Sequence, residues 1–180
     1  FITNVKYPNI HQYTKTTRET ILDKKVSIHK KLVLSVPQVA SWSDLLKLEK
    51  KYIDIGGSKL YVEEEGRGIP MVLINGGPGD TLDSFLPYFT RAKNFVRLIY
   101  YDQRGCGKSD YKPGKGYTID QAVNDLEKLR KALRIKKWVV LGYSYGGLLA
   151  QMYTIKYPKH VWGLVLVSAA PGIPDLYWPS

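Results

Sequence analysis

Cysteine is nearly absent from this sequence, since Cys106 is the only one among 180 residues. A single cysteine cannot form an internal disulfide and is too few for a zinc site. Its scarcity favours a reducing compartment such as the cytoplasm, although a secreted protein without disulfides would show the same composition. No apolar run approaches the ~20 residues that cross a bilayer, and the longest candidate, 161–170, is half that length. We therefore expect no membrane span.

Acidic residues are also few, with 16 Asp and Glu against 27 Lys and Arg, and the formal net charge is +11. The excess is concentrated in residues 1–51, which hold ten Lys/Arg and four Asp/Glu. This segment lacks the aromatic interleaving, helix-turn-helix spacing or zinc pattern of nucleic-acid-binding proteins. The Gly107-Lys108-Ser109 sequence resembles the end of a phosphate-binding loop, but Asp102 stands where that loop requires glycine. We expect neither nucleic-acid nor nucleotide binding.

The order of the predicted elements is typical of an α/β fold. Residues 1–51 show no sustained periodicity and are interpreted as an N-terminal extension, with a short helix at 43–51 capped by Ser43. Beyond them, alternating and continuous apolar runs predict strands at 52–55, 59–64, 71–74, 95–101, 138–141 and 161–167. Helical spacing predicts helices at 83–92, 118–133 (with Thr118 as N-cap) and 148–157. This order predicts a mainly parallel sheet with an antiparallel hairpin at its start and helices on both faces.

The sequence Gly142-Tyr143-Ser144-Tyr145-Gly146-Gly147 follows a predicted buried strand and precedes a predicted helix. A G-x-S-x-G turn in that place forces the serine into a strained backbone conformation and exposes its hydroxyl at the carboxyl edge of the sheet. The helix N-terminus behind it favours an anion. These features predict a nucleophilic serine, and the alternative is a tight turn without catalytic function.

A second glycine-rich segment, Asn75-Gly76-Gly77-Pro78-Gly79, follows the predicted strand at 71–74. Successive glycines allow backbone N–H groups to point into a cleft, where they can stabilise a developing oxyanion. In the α/β-hydrolase arrangement one donor comes from such a loop and the other from the residue after the nucleophile. A plain turn is the alternative.

Together, NGGPG at 75–79, YDQRGCGKSD at 101–110 and GYSYGG at 142–147 resemble the proline iminopeptidases, serine peptidases of the α/β-hydrolase fold. The resemblance spans roughly residues 52–171. It implies that Ser144 is the nucleophile, that the 101–110 loop is a structural element beneath the site, and that no metal or organic cofactor is needed. It also implies that the backbone N–H groups of Gly77 and Tyr145 form the oxyanion hole. The supporting loop would consist of Asn75, Gly76, Pro78 and Gly79. Asn75 departs from the family, which usually has histidine there.

The catalytic base and acid of a triad are not apparent. In this fold the acid and then the histidine follow the serine along the chain, yet only Asp175, and no histidine, follows His160. His160 is expected at the end of the sheet opposite Ser144, in a structural role, and His11 and His29 precede the core. We therefore expect residues 52–171 to form the N-terminal part of a hydrolase core, with 172–180 as the start of a cap or a cleavage or truncation point.

Three functions remain open on this interpretation. The first is an aminopeptidase that releases N-terminal proline from short peptides, with the cap, the catalytic Asp and the His carried by a second chain or C-terminal fragment beyond residue 180. The second is an esterase, lactonase or other amide hydrolase on the same fold, because fold does not determine substrate. The third is a non-catalytic binding protein built on half a hydrolase.

Overall fold

The computed structural model describes residues 48–169, with the exception of residue 115. Predictions for residues 1–47 and 170–180, including Asp175, lie outside this range. Six strands and three α-helices are present in it, together with three 3₁₀ turns at Leu82–Ser84, Thr90–Asn94 and Pro158–His160. The strands are β1 (Glu49–Asp54), β2 (Lys59–Glu65), β3 (Ile69–Ile74), β4 (Val96–Tyr101), β5 (Trp138–Tyr143) and β6 (Val161–Val167), and the helices are α1 (Leu86–Phe89), α2 (Ile119–Ala132) and α3 (Tyr145–Lys156).

The strands form one sheet in the order β1-β2-β4-β3-β5-β6. The β1–β2 and β2–β4 pairs are antiparallel and the remaining pairs are parallel. Val72 of β3 lies between Ile99 of β4 and Val140 of β5, and all three side chains are fully buried. Continuous apolar runs predict central strands because side chains on both faces are covered. The predicted parallel sheet with an initial hairpin is confirmed.

Two apolar clusters cover the two faces of the sheet. One contains Leu126 and Leu129 of α2 and Leu149 and Tyr153 of α3. The other contains Phe85 and Leu86, next to and within α1, with further residues of the sheet. Helices therefore lie on both faces, as predicted. No helix among the described residues is long and apolar enough to cross a membrane.

The predicted helix at 43–51 is wrong over its last three residues. Residues 49–51 belong to β1, where Lys51 pairs with Val62 of β2 and its ammonium lies 2.8 Å from the carboxylate of Glu64. Strand pairing and this ion pair outweigh the local helical pattern. Residues 43–47, including the expected Ser43 cap, lie outside the described range, while Leu48 is buried.

The predicted helix at 83–92 is instead a succession of short turns around α1. Thr81 precedes the first of these turns, and its side chain makes no capping hydrogen bond. The segment is anchored at Leu82, whose backbone N–H donates to the carboxylate of Asp102, and at the buried Phe85. Tertiary packing therefore sets the local conformation here. In contrast, α2 begins as predicted, since the Thr118 hydroxyl accepts from Gln121 N at 3.1 Å.

Candidate functional site

Ser144 lies in a tight turn between β5 and α3. Its φ is +51° and its ψ is −119°, a region that residues with a side chain rarely adopt. The flanking glycines permit the turn: a Cβ on Gly146 would lie 2.5 Å from Asn75 O and closer still to Ile74 O, and one on Gly142 would lie 2.6 Å from Gly147 Cα. The Ser144 side chain is partly exposed, and within residues 48–169 its hydroxyl makes no hydrogen bond.

The 75–79 loop packs directly against this turn. A Cβ on Gly76 would lie 3.4 Å from Ser144 Cβ and 3.2 Å from the Tyr143 ring. Gly77 has a φ of +88°, and a Cβ there would lie 2.7 Å from the backbone nitrogen of Asp80. The structure therefore brings together two glycine-containing segments that are far apart in sequence, and glycine is required in both.

Two backbone donors in these segments are unused. In the described part of the chain, the N–H groups of Gly77 and Tyr145 donate no hydrogen bond. Tyr145 is the first residue of α3, where backbone N–H groups have no partner within the helix and the helix dipole favours negative charge. This arrangement can stabilise a developing oxyanion next to Ser144.

Asn75 stabilises the 75–79 loop through its side chain. It is fully buried, and its amide nitrogen donates to Asp80 O across the loop. Gln103 donates from Nε2 to Asn75 O at 3.0 Å and to Asn75 Oδ1 at 3.2 Å. The amide that replaces the family's usual histidine is thus an integral part of the loop. Gln103 was not among the predicted site residues, because its contact with Asn75 joins positions 28 apart in the sequence.

Asp102 organises the 101–110 loop beneath the site. Its buried carboxylate accepts from Leu82 N at 2.9 Å and from Lys108 N at 2.8 Å. Burial raises the pKa of this carboxyl, and the two backbone donors only partly oppose that shift. A Cβ on Gly107 would lie 2.5 Å from Asp102 Cγ. The glycine therefore permits the loop to close around the carboxylate.

Cys106 lies in the same loop and is half-buried. Burial raises the pKa of its thiol, and a hydrogen bond from the Gly79 backbone offsets part of that shift. A raised pKa keeps the thiol neutral near pH 7, which disfavours a nucleophilic role. Its contact with Gly79 of the 75–79 loop is consistent with a packing role.

No histidine of the described residues lies at Ser144. His160 is separated from Ser144 by the whole of α3, twelve residues or about 18 Å of helix, and its Nδ1 lies 3.3 Å from Glu127 Oε1. Burial alone would raise the pKa of Glu127, but hydrogen bonds from Arg130 and Tyr153 outweigh it and bring the pKa to about 2. His160 thus belongs to a structural network, as expected.

Two buried acidic side chains, Asp102 in the 101–110 loop and Asp125 in α2, also have partners. Asp102 holds backbone N–H groups, and Asp125 forms a bidentate pair with Arg104 at 2.7 and 2.8 Å. Within the described ranges, no cluster of three or more His, Cys, Asp or Glu side chains is placed to hold a metal ion.

The last strand of the sheet, β6, is incompletely covered. It lies at the edge and pairs with β5, and the Ser144 N–H donates to Val167 O at its end. Its apolar side chains are 37–59% exposed on both faces, namely Trp162, Leu164, Val165, Leu166 and Val167. Apolar edge strands are normally covered or paired in native proteins. An additional segment beside β6 would bury this surface.

Comparison with known proteins agrees with the geometry. Residues 69–178 match the sequence profile of the alpha/beta hydrolase fold. A proline iminopeptidase of Saccharolobus solfataricus is 36% identical over 134 residues, which cover 72% of this chain and 43% of that protein. This chain therefore spans less than half the length of that relative.

Two solved structures show the same similarity. A proline iminopeptidase-related protein from Thermus thermophilus superposes with a TM-score of 0.64 and 28% identity, over 68% of this chain and 45% of that one. An esterase from Exiguobacterium antarcticum gives a TM-score of 0.62 and 32% identity, over 68% and 46% of the two chains. Both likenesses cover less than half of the other protein.

Proposed function

Because this chain belongs to the α/β-hydrolase fold family, we propose that it supplies the nucleophile and the oxyanion donors of a serine hydrolase. The observation that carries the proposal is the strained conformation of Ser144 at a strand-to-helix turn, beside two unused backbone donors. A strained serine costs stability that a simple turn could avoid. Its position above the N-terminus of α3 matches the requirement for a nucleophile elbow.

In the proposed mechanism, Ser144 Oγ attacks the substrate carbonyl carbon while a base accepts the hydroxyl proton. The resulting oxyanion accepts hydrogen bonds from the N–H groups of Gly77 and Tyr145. The base then returns the proton to the leaving amine or alcohol as the C–N or C–O bond breaks. Water, deprotonated by the same base, releases the acyl group and restores Ser144.

We further propose that the base, a histidine, and its acid partner belong to a segment outside the described residues, carried by a second chain or a C-terminal fragment that packs beside β6. Two observations support this. His160 lies next to Glu127 at the far end of α3, and β6 exposes apolar side chains on both faces. A covering segment would bury them and reach the end of β6, where Val167 O accepts from the Ser144 backbone.

The proposed substrate is a short peptide with an N-terminal proline. Support comes from the similarity to a proline iminopeptidase at 36% identity and from the motifs at 75–79, 101–110 and 142–147, which resemble those of that family. A second candidate is an ester, a lactone or another amide, which the 32% identity to an esterase favours. The two candidate substrates differ in their leaving groups and in whether they carry the free amine of an N-terminal proline. The role of Ser144 is the same for both.

The test compares hydrolysis of a prolyl arylamide and of short acyl esters by the full-length protein and its Ser144→Ala variant. We expect the wild-type protein to turn over the prolyl arylamide faster than the esters. We expect Ser144→Ala, which lacks the hydroxyl, to lose about 10³-fold or more in kcat. Thr154→Ala, further along α3 with its hydroxyl bonded to Ala150 O, is the matched control and should retain activity.

Each other outcome has a definite meaning. Turnover of esters alone would replace the peptidase by an esterase. Activity that survives Ser144→Ala would refute the assignment of the nucleophile. No turnover of either substrate by the wild-type protein would favour the non-catalytic binding protein.

A further inference from the structure

A cavity of about 730 Å³ lies beside the turn that holds Ser144. Its wall includes Gly79, Cys106, Tyr117, Ala122 and Tyr145, and we call it the side cavity. We infer that the side cavity binds an uncharged, ring-sized apolar group of the substrate, an inference that rests on the proposed hydrolase function. Its volume lies within the roughly 300–1,000 Å³ typical of small-molecule sites.

The side cavity is positioned for a group attached close to the scissile bond. Tyr145 directly follows Ser144, and consecutive Cα atoms are about 3.8 Å apart. Gly79 belongs to the loop that supplies the other proposed oxyanion donor. Ser144 does not itself line the cavity, so a group bound there would lie beside the reacting carbonyl.

The charged side chains around the side cavity already have partners. Arg104 forms its bidentate pair with Asp125, and Asp120 at the rim lies 2.5 Å from the ammonium of Lys156. The raised pKa of Cys106 keeps its thiol neutral. A charged ligand would compete with these ion pairs, whereas an uncharged group would leave them intact.

The aromatic wall of the side cavity is held in place. The Tyr117 ring packs on Gly105, where a Cβ would lie 2.9 Å from the Tyr117 hydroxyl, and that hydroxyl accepts from Lys112 N at 3.0 Å. Tyr111 lies against it, with ring centroids 6.0 Å apart and planes tilted by 32°. Aromatic rings favour offset or edge contacts with another ring. The preferred occupant is therefore phenyl-sized.

The catalytic test uses three esters with the full-length protein: methyl acetate without a ring, methyl phenylacetate with a ring on the acyl side, and benzyl acetate with a ring on the leaving side. Ala122→Phe places a ring in the cavity from α2, while Ala132→Phe, exposed on the same helix, is the control. We expect Ala122→Phe to lower kcat/KM for one ring ester about tenfold relative to methyl acetate. Ala132→Phe should leave that ratio unchanged.

The ester that is affected identifies which side of the substrate enters the side cavity. An unchanged ratio in Ala122→Phe for both ring esters would overturn the inference. An equal change in Ala132→Phe would overturn it as well, because that position lies away from the cavity.

A binding test without catalysis separates this inference from the proposed function. Alkylation of Cys106 by iodoacetamide at alkaline pH, where part of its thiol is ionised, reports occupancy of the side cavity even in Ser144→Ala. The modification is followed by mass spectrometry of the peptide that contains Cys106. We expect phenylacetamide to slow the alkylation several-fold, acetamide to have no effect, and Ala122→Phe to abolish the protection. Equal alkylation rates with and without phenylacetamide would refute the side cavity as a binding site, whatever the activity of Ser144.

Discussion

Gly146→Ala provides a sharp test of the turn geometry. A methyl group at position 146 would lie 2.5 Å from Asn75 O and closer to Ile74 O, far inside van der Waals contact. Both oxygens belong to the backbone at the end of β3 and cannot rotate away as a side chain could. Overpacking in a rigid place costs about 1–3 kcal/mol or more, and we expect roughly 3 kcal/mol here. For a protein of this size that corresponds to a fall in Tm of about 6–12 °C.

Thermal unfolding followed by circular dichroism measures this effect, and Gly163→Ala is the matched control. Gly163 lies in β6, and a Cβ there would contact nothing within 4 Å. Alanine is favoured over glycine by about 0.5–1 kcal/mol in a strand interior, so the control should be neutral or slightly stabilising. A Gly146→Ala protein that melts within about 2 °C of the wild type would show that the 75–79 loop does not pack on the turn as described.

Two further substitutions test the buried carboxylates. The folded-state pKa of Glu127 is about 2 and lies below the ordinary value of 4.5. The ionised carboxylate therefore contributes about 3 kcal/mol to the free energy of unfolding. This contribution is present above pH 4.5 and is lost as the pH falls toward 2. Urea unfolding of Glu127→Gln, which removes the carboxylate partner of Arg130, should therefore show lower stability at pH 7 and a shallower acid dependence. Parallel pH profiles of the variant and the wild type would contradict the network. Asp102→Asn loses one of two backbone hydrogen bonds and should destabilise by about 1–3 kcal/mol. Hydrogen exchange should accelerate at the Leu82 or the Lys108 amide, whichever faces the new NH₂ group, and unchanged exchange at both would refute their anchoring to Asp102.

The sequence predicted the sheet because its signals are local. Continuous apolar runs such as 71–74 and the alternation at 59–64 report directly on which faces of a strand are covered. The 142–147 motif could be placed because the requirement for glycine at Gly142 arises within the turn, where a Cβ would lie 2.6 Å from Gly147 Cα. The requirement at Gly146 comes instead from the backbone oxygens of Ile74 and Asn75, which are distant in sequence. The Thr118 cap is decided by residues three positions apart.

Features that depend on distant residues were not predictable. The helical pattern at 43–51 gave no sign that residues 49–51 would pair with β2. The turns around α1 follow from packing on the sheet and from Asp102, which lies 20 residues after Leu82. The hydrogen bonds from Gln103 to Asn75 join positions 28 apart, and nothing in either local sequence specifies them. Such contacts form only after the sheet has brought the ends of different strands together at one edge.

The most direct test of the central claim is covalent labelling of Ser144. The full-length protein would be incubated with a fluorophosphonate probe, and its intact mass and peptides measured. If a base and an oxyanion hole activate the Ser144 hydroxyl, we expect one adduct, and it should map to Ser144. The Ser144→Ala protein should carry no adduct. A protein that stays unlabelled, or that carries its adduct on another residue, would contradict the assignment of Ser144 as the nucleophile.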